Sequence, residues 1–301
     1  MKQHNTRLIL AKAAESATGG GGGKKGTPTS KQAAAEPEEQ KAELSTTVLD
    51  ALYEDAGAGS DSMTKDDLAI PRLTILQGLS PACQKRTDTY VEGAEPGHIL
   101  DTVSNTIFSG EDGIYVIPCT YRRTHIEWQP RDAGGGFVED HGVGTSILDL
   151  CTKNDKGKYV LENGNHIVPT AEYFVMLVDK ETGVAVPYVL SMASAQIKHS
   201  KKWNTLINTL RIPTPKGPIN PAMFYRVYHL TTQPESNDQG SWFGWSVKGD
   251  DAVIDLPDGN NLYLSCRAFR ASVMAGDIKA SEPRESDAGG GSSKESDDAP
   301  M

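Results

Sequence analysis

Residues 172–192, EYFVMLVDKETGVAVPYVLSM, contain two apolar, β-rich runs joined by the polar turn segment 180–183. Runs of this length on either side of a turn that contains glycine predict a β-hairpin. Outward from the hairpin, residues 113–129 are predicted to form one long strand and residues 97–108 another. The long strand carries polar groups on both faces of its second half, so we expect that half to lie outside a core.

A helix is predicted over residues 194–210, with Ser194 as its N-cap and Pro213 beyond its end. Its apolar residues form one stripe about 100° wide, and its lysines cluster on the opposite side. These lysines are Lys198, Lys201 and Lys202. No acidic residue occurs from 198 to 216, which indicates an anionic partner; the alternative is an ordinary solvated lysine face.

Further strands are predicted at 222–232 and 241–248, separated by a polar segment, and short amphipathic helices at 46–54 and 260–275. Residues 130–170 are rich in glycine and asparagine and are predicted to be an irregular insertion. This order of elements predicts a mainly β (α+β) fold, an OB-like, partly open five-stranded barrel with a helix between strands 3 and 4. Other small α+β barrels can be drawn from the same elements, and that alternative stays open.

Composition divides the 301 residues into three parts. We expect residues 1–61 to be a disordered, low-complexity N-terminal arm, 62–281 the OB-like domain, and 282–301 a disordered acidic tail. The net charge is −10, yet residues 62–275, with 20 basic and 24 acidic side chains, contribute only −4 of it. The acidic total therefore excludes a uniformly basic coat for nucleic acid but not a local basic surface.

Membrane and secreted classes are not expected. No window approaches the roughly 18 apolar residues of a membrane span, and the N-terminal region lacks an apolar signal core. The cysteines are widely spaced and form no CxxC pair: Cys83, Cys119, Cys151 and Cys266. This usage favours reduced thiols and a cytoplasmic setting.

The strands at 222–232 and 241–248 are crowded with aromatic side chains next to an arginine, and the long strand carries a second such cluster. One aromatic face must fill the core, and we expect rings of the other face to be exposed, where each could stack on a base for about 1–3 kcal/mol. The alternative is a thick aromatic core beneath the insertion 130–170. The candidate nucleic-acid-binding residues are Tyr121, Arg122, Arg123, Trp128, Lys198, Lys201, Lys202, Arg211, Tyr225, Arg226, Tyr228, Trp242 and Trp245.

No catalytic residue, metal site or cofactor is predicted. The candidate metal ligands match no known spacing: His125, His141 and His166 with Cys119 or Cys151. The adjacent acids Glu139 and Asp140 should point in different directions, which argues against a paired-carboxylate site. The glycine clusters 134–136 and 142–144 are not followed by the GK[ST] of a phosphate-binding loop.

Several stretches resemble a tailed-bacteriophage protein family whose members are mostly of unknown role. They are DLAIPRLTILQ (67–77), GHILDT (97–102), IEWQPR (126–131) with GGGF (134–137), QIKHSKKWN (196–204) and NDQGSWFGW (237–245). The likeness covers about residues 67–275, and the layout is similar to that of the T7-type phage single-stranded DNA-binding proteins. Those proteins have an OB-fold and an acidic C-terminal tail; here the tail ends in Met301 rather than an aromatic residue.

The resemblance and the basic, aromatic surface together imply a sequence-independent single-stranded DNA-binding protein. We expect it to act in phage DNA replication or recombination in the host cytoplasm, with the acidic tail regulating binding and recruiting replication proteins. The alternative is a virion structural or host-interaction protein whose aromatic patch binds another protein. A homodimer stays open.

Overall fold

The computed structural model describes residues 46–64, 67, 69–155, 157–238 and 240–283. The chain divides after Thr64 into two units. The first contains helix α1 (Thr46–Glu54), which confirms the short helix predicted there; its apolar Val48 and Leu52 are exposed. The expectations of disorder for residues 1–45 and 284–301 lie outside the described residues.

The second unit is mainly β. Its strands are β1 (Ala69–Ile70), β2 (Arg72–Ile75), β3 (Ile99–Asp101), β4 (Ile107–Phe108), β5 (Ile114–Trp128), β6 (Phe137–Asp140), β7 (Thr152–Lys153), β8 (Tyr159–Val160), β9 (His166–Val178), β10 (Ala185–Ala193), β11 (Arg226–Asn237), β12 (Gly240–Ala252) and β13 (Lys279–Ala280). Its α-helices are α2 (Ile197–Thr209) and α3 (Gly259–Ala275).

One curled, open sheet holds eleven of the strands in the described residues. Its order is β12-β11-β5-β9-β10-β2-β3-β4, with β6 added on β5 and β7-β8 added on β9, while β1 and β13 form a separate parallel pair. Six strands were predicted from the sequence, together with an OB-like barrel of five. The count differs because the insertion 130–170 contributes strands of its own, and because residues 69–108 form several short strands rather than one.

Several predicted elements are confirmed. The hairpin at 172–192 is β9 and β10, with Tyr173 opposite Leu190 in an antiparallel register. The helix at 260–275 is α3, and the long strand at 113–129 is β5. The expectation that the second half of β5 lies outside a core is wrong, because residues 124–128 are all buried. The four cysteines are free thiols.

Other predictions are corrected. Residues 97–108 are not one strand, because Asn105 adopts a left-handed φ of 57° and turns β3 back as β4. The helix predicted from Ser194 begins as a 3₁₀ turn, and α2 itself starts at Ile197 with Gln196 as its N-cap. Strands β11 and β12 continue through the polar segment 233–240, where Glu235 lies opposite Trp242.

Both faces of the sheet are covered, and this decides which side chains are available at the surface. On one face, Trp203 of α2 packs into a core with Tyr173, Tyr228 and Trp245. On the other face, Phe269 of α3 packs into a second core. The sheet is therefore sandwiched between two helices, each held by its own apolar cluster.

Glutamine side chains join the distant ends of the curled sheet. Gln77, just after β2, accepts a hydrogen bond from the Phe243 N–H (2.8 Å) and donates one to the Phe243 carbonyl (3.0 Å), so its amide pairs with β12 as a strand would. Gln196 donates to the same carbonyl and accepts from the Trp245 N–H. Gly97 (φ 94°) leaves room for the Phe243 ring, because a Cβ there would lie 2.7 Å from it. These hydrogen bonds occupy backbone N–H and carbonyl groups at the outer edge of β12, which could otherwise pair with a strand of another chain.

Candidate nucleic-acid interface

Helix α2 is fixed to the sheet by one tryptophan. The Trp203 ring is fully buried, stacks on Tyr173 at 4.2 Å between centroids, and meets Tyr228 edge-on at 5.7 Å. The Tyr173 hydroxyl lies 2.8 Å from Asn204 Oδ1 and donates to it. With one side of α2 buried in this way, its opposite side faces solvent.

The predicted lysine face lies on that solvent side, as the helical spacing required. Lys201 and Lys202 are exposed and pair with no carboxylate among the described residues. Lys198 is different, since its Nζ lies 3.0 Å from Glu235 Oε2 although 59% of the side chain is exposed. Two of the three lysines therefore carry charge that the described part of the protein does not neutralise.

The acid-free region is longer than the segment 198–216 considered above. No Asp or Glu occurs from residue 182 to residue 234, a stretch with six basic residues. They are Lys198, Lys201, Lys202, Arg211, Lys216 and Arg226. The sequence alone contains this signal. It covers β10, α2, the loop after α2 and most of β11.

The loop after α2 forms one wall of an apolar depression of about 320 Å³. Ile212 and Ile219 form an isolated antiparallel β-bridge across this loop. Arg211 therefore lies directly before the bridge, and Lys216 lies within the turn that the bridge closes. Arg211 is exposed, and its Nη1 donates to the carbonyls of Asn208 and Leu210, at the end of α2. The depression is lined by Ile212, Ile219, Asn220, Pro221, Ala222, Tyr225, Ile254 and Tyr263.

Helix α3 contributes residues that the sequence analysis did not single out. Tyr263 lines the depression, and its ring lies 5.0 Å from that of Phe224. Arg267 and Arg270 follow at four and seven residues, the spacing that keeps side chains on one face of a helix, and both are exposed. No acidic residue occurs in α3. The signal available in the sequence was this absence of acid together with the spacing.

Three of the candidate stacking platforms are core residues, so the alternative of an aromatic core applies to them. Trp128, Tyr228 and Trp245 are only 4%, 1% and 2% exposed. Tyr228 and Trp245 belong to the core beneath α2, and Trp128 packs edge-on against Phe137 of β6. The period-two pattern could not reveal this, because both faces of the sheet are covered by other elements.

The other three aromatic candidates are half-buried. Tyr121 packs against Tyr173, with centroids 5.1 Å apart. Trp242 donates its indole N–H to Glu235 Oε2 at 3.0 Å. Tyr225 lines the depression beside the loop after α2. Of the six predicted rings, Tyr225 alone lines this depression.

The arginine candidates differ in their freedom to meet a phosphate. Arg122 is engaged, because its guanidinium pairs with Glu172 at 2.6 Å and with Asp140 at 3.0 Å. Arg226 donates its Nε to the Asp250 carbonyl at 2.7 Å. Arg123 is exposed and has no partner among the described residues. Arg122 is thus held by two carboxylates in this fold, whereas Arg123 is free to meet a phosphate.

Glu235 pairs with Lys198 of the lysine face and ties the β11–β12 hairpin to α2. His199 Nε2 lies 3.0 Å from its Oε1, and Lys198 is on the other oxygen. Burial acts to raise the pKa of Glu235, but the hydrogen bonds from Lys198 and His199 outweigh it, so the pKa lies below its ordinary 4.5. Glu235 therefore stays ionised at neutral pH and partly offsets the positive charge at the N-terminal end of α2.

The fold and this surface define a class: a mainly β protein of one curled sheet, with a basic helix on one face and an arginine-bearing helix on the other. In the residues described, no helix is long and apolar enough to cross a membrane. The chain belongs to the family of Pam3 phage gp34-like proteins, whose model matches residues 38–279. This confirms the predicted phage family, whereas nothing found supports the likeness to T7-type proteins. No curated protein and no solved structure matches the chain significantly.

Proposed function

We propose that this chain is a sequence-independent single-stranded DNA-binding protein of a bacteriophage, acting in DNA replication or recombination. The observation that supports it best is the acid-free region 182–234 in a chain of net charge −10. Its exposed cations, Lys201, Lys202 and Arg211, have no carboxylate partner among the described residues. Unneutralised cations of this kind bind phosphates by releasing condensed counterions, which needs no base sequence.

Base contacts would come from the depression next to these cations. Tyr225 and Tyr263 both line it, and every nucleobase has a π-face on which a tyrosine can stack. Tyr121, Arg123 and Trp242 remain secondary candidates because each is at least partly exposed. In this proposal the curled sheet with α2 beside it serves as the OB-like binding platform expected from the element order.

The acidic tail has a place in the same proposal. Residues 282–301 contain four more acidic than basic side chains, and nearly all of these residues lie outside the described part of the chain. A tethered anion competes for a basic surface at high effective concentration, and DNA that displaces it frees the tail to recruit replication proteins. This mechanism operates in the host cytoplasm, where phage DNA is replicated.

A titration of labelled oligo-dT by fluorescence anisotropy tests the proposal. The label belongs on the DNA because Trp128, Trp203 and Trp245 are buried, so their fluorescence would report binding poorly. We expect K201Q/K202Q to weaken binding at least tenfold at low salt, since it removes two phosphate contacts.

The matched control is K85Q/R86Q, which removes the same charge from an exposed adjacent pair in the loop between β2 and β3. We expect it to change affinity less than twofold. If the two double variants lost affinity for oligo-dT equally, binding would depend only on the net charge of the protein, and the proposed site would be refuted.

The alternative, a virion structural or host-interaction protein, is favoured by the apolar depression, which would suit a protein partner as well as a base. Purified phage particles separate the two functions. A fixed copy number of the chain in the particle, together with no affinity for oligo-dT, would replace our proposal with this one.

A further inference from the structure

Strands β5 and β6 bring three metal-ligating side chains together at the far end of the long strand. Glu127 lies directly opposite Glu139 in the antiparallel register, and His141 follows two residues after Glu139 on the same side. His141 Nε2 is 2.8 Å from Glu127 Oε2. One ligand atom from each of the three residues lies within 4.8 Å of the others, a separation that a single ion can bridge.

The charges at this position are not balanced by a fixed cation. Glu127 is 6% exposed, and neither it nor Glu139 pairs with a lysine or arginine among the described residues. By contrast, the buried Glu172 has two arginine partners. Two carboxylates directly opposite each other on antiparallel strands repel, so this pair needs positive charge from His141 or from a bound ion.

The buried carboxylate of Glu127 is also held in position by a hydrogen bond to its other oxygen. Asn165 Nδ2 donates to Glu127 Oε1 at 2.6 Å, which leaves Oε2 facing His141. Outer hydrogen bonds of this kind orient carboxylate ligands in metal sites.

We propose that Glu127, Glu139 and His141 bind one divalent transition-metal ion, with Zn²⁺ the best match. Zn²⁺ accepts imidazole and carboxylate ligands together, and three protein ligands leave a fourth position for water. The ion would hold β6 against β5 at the start of the insertion 130–170. No spacing in the sequence indicates this site, because Glu127 joins the other two ligands only through the strand register.

Isothermal titration calorimetry of the full-length, tag-free chain tests this site, after dialysis against chelator and under reducing conditions. Zn²⁺ should bind at one ion per chain and raise the melting temperature. E139Q and H141Q should each weaken Zn²⁺ binding at least tenfold and abolish the rise in melting temperature. Glu139 is exposed, so E139Q should leave the ion-free fold intact, with an unfolding midpoint equal to that of the wild type.

The matched control is H199Q, which removes a histidine that also lies 3.0 Å from a glutamate, at Glu235. It should bind Zn²⁺ with wild-type affinity. The proposal is overturned by a wild-type chain without saturable Zn²⁺ binding. It is equally overturned by E139Q and H141Q variants that bind as the wild type does, which would place the metal on the free cysteines.

Discussion

Glu172 is a fully buried carboxylate between two arginines. Arg72 Nη2 lies 2.9 Å from one oxygen and Arg122 Nη2 lies 2.6 Å from the other, and the Arg72 side chain is only 4% exposed. We expect E172Q to lower the free energy of unfolding by about 3–5 kcal/mol, because it leaves buried guanidinium charge uncompensated. Urea denaturation measures the effect. The exposed Glu181 of the β9–β10 turn supplies the control, since E181Q should cost less than about 0.5 kcal/mol.

Glu235 gives the fold a dependence on acid pH. Because its folded-state pKa is below the ordinary 4.5, its ionised form stabilises the protein above that pH, and the contribution is lost as pH falls through the folded value. We expect E235Q to be less stable than the wild type by about 1–2 kcal/mol at pH 6. The difference should shrink towards zero well below pH 4.5, as measured by chemical denaturation at both pH values. If the stability difference between the wild type and E235Q grew as the pH fell, the lowered pKa of Glu235 would be contradicted.

At single residues, the sequence predicted the charged positions better than the aromatic ones. Lys201 and Lys202 are exposed as the helical period required, because a helix packed by one tryptophan must face solvent on its other side. Tyr228 and Trp245 are buried, although their strands carry aromatic residues on both faces and one face was expected to be exposed. The difference is physical: exposure of a strand residue depends on what covers the sheet, and α2 and α3 cover both faces.

Among the elements, α2 is the one that joins the core to the proposed interface. Trp203 supplies its fully buried contact, whereas Leu206 of the same helix is 38% exposed. We expect W203A to lower the free energy of unfolding by about 3–5 kcal/mol and L206A by less than about 1 kcal/mol. Thermal or urea unfolding of the two variants provides the measurement. Equal costs would mean that α2 is not anchored through the tryptophan.

The elements with strong local signals were predictable. The β9–β10 hairpin has apolar runs on both sides of a glycine turn, and α3 has a clear apolar period. The short strands β6, β7 and β8 were not, since two to four residues carry no usable period, although each strand pairs with a segment nearby in the sequence. The extension of β11 and β12 through the polar segment 233–240 is stabilised by mutual pairing rather than by apolar pattern.

At the scale of the whole molecule, the net charge of −10 conceals a separation of charge along the chain. Residues 182–234 contain six basic residues and no acid, and the last 26 residues contain 3 basic and 7 acidic ones. The curled sheet decides where the basic residues lie, because side-chain amides of Gln77 and Gln196 hold β12 against distant segments and α2 packs beside it. A long-range closure of this kind has no local signature in the sequence.

The salt dependence of oligo-dT binding tests the central claim most directly. Four exposed cations of the acid-free region, Lys201, Lys202, Arg211 and Lys216, should each neutralise one phosphate of a single strand. The log of the association constant should therefore fall with the log of salt concentration with a slope of about −2.8, from about −0.7 per phosphate. K201Q/K202Q should reduce the slope to about −1.4. No binding of the full-length chain at low salt, or a slope near zero, would contradict the account.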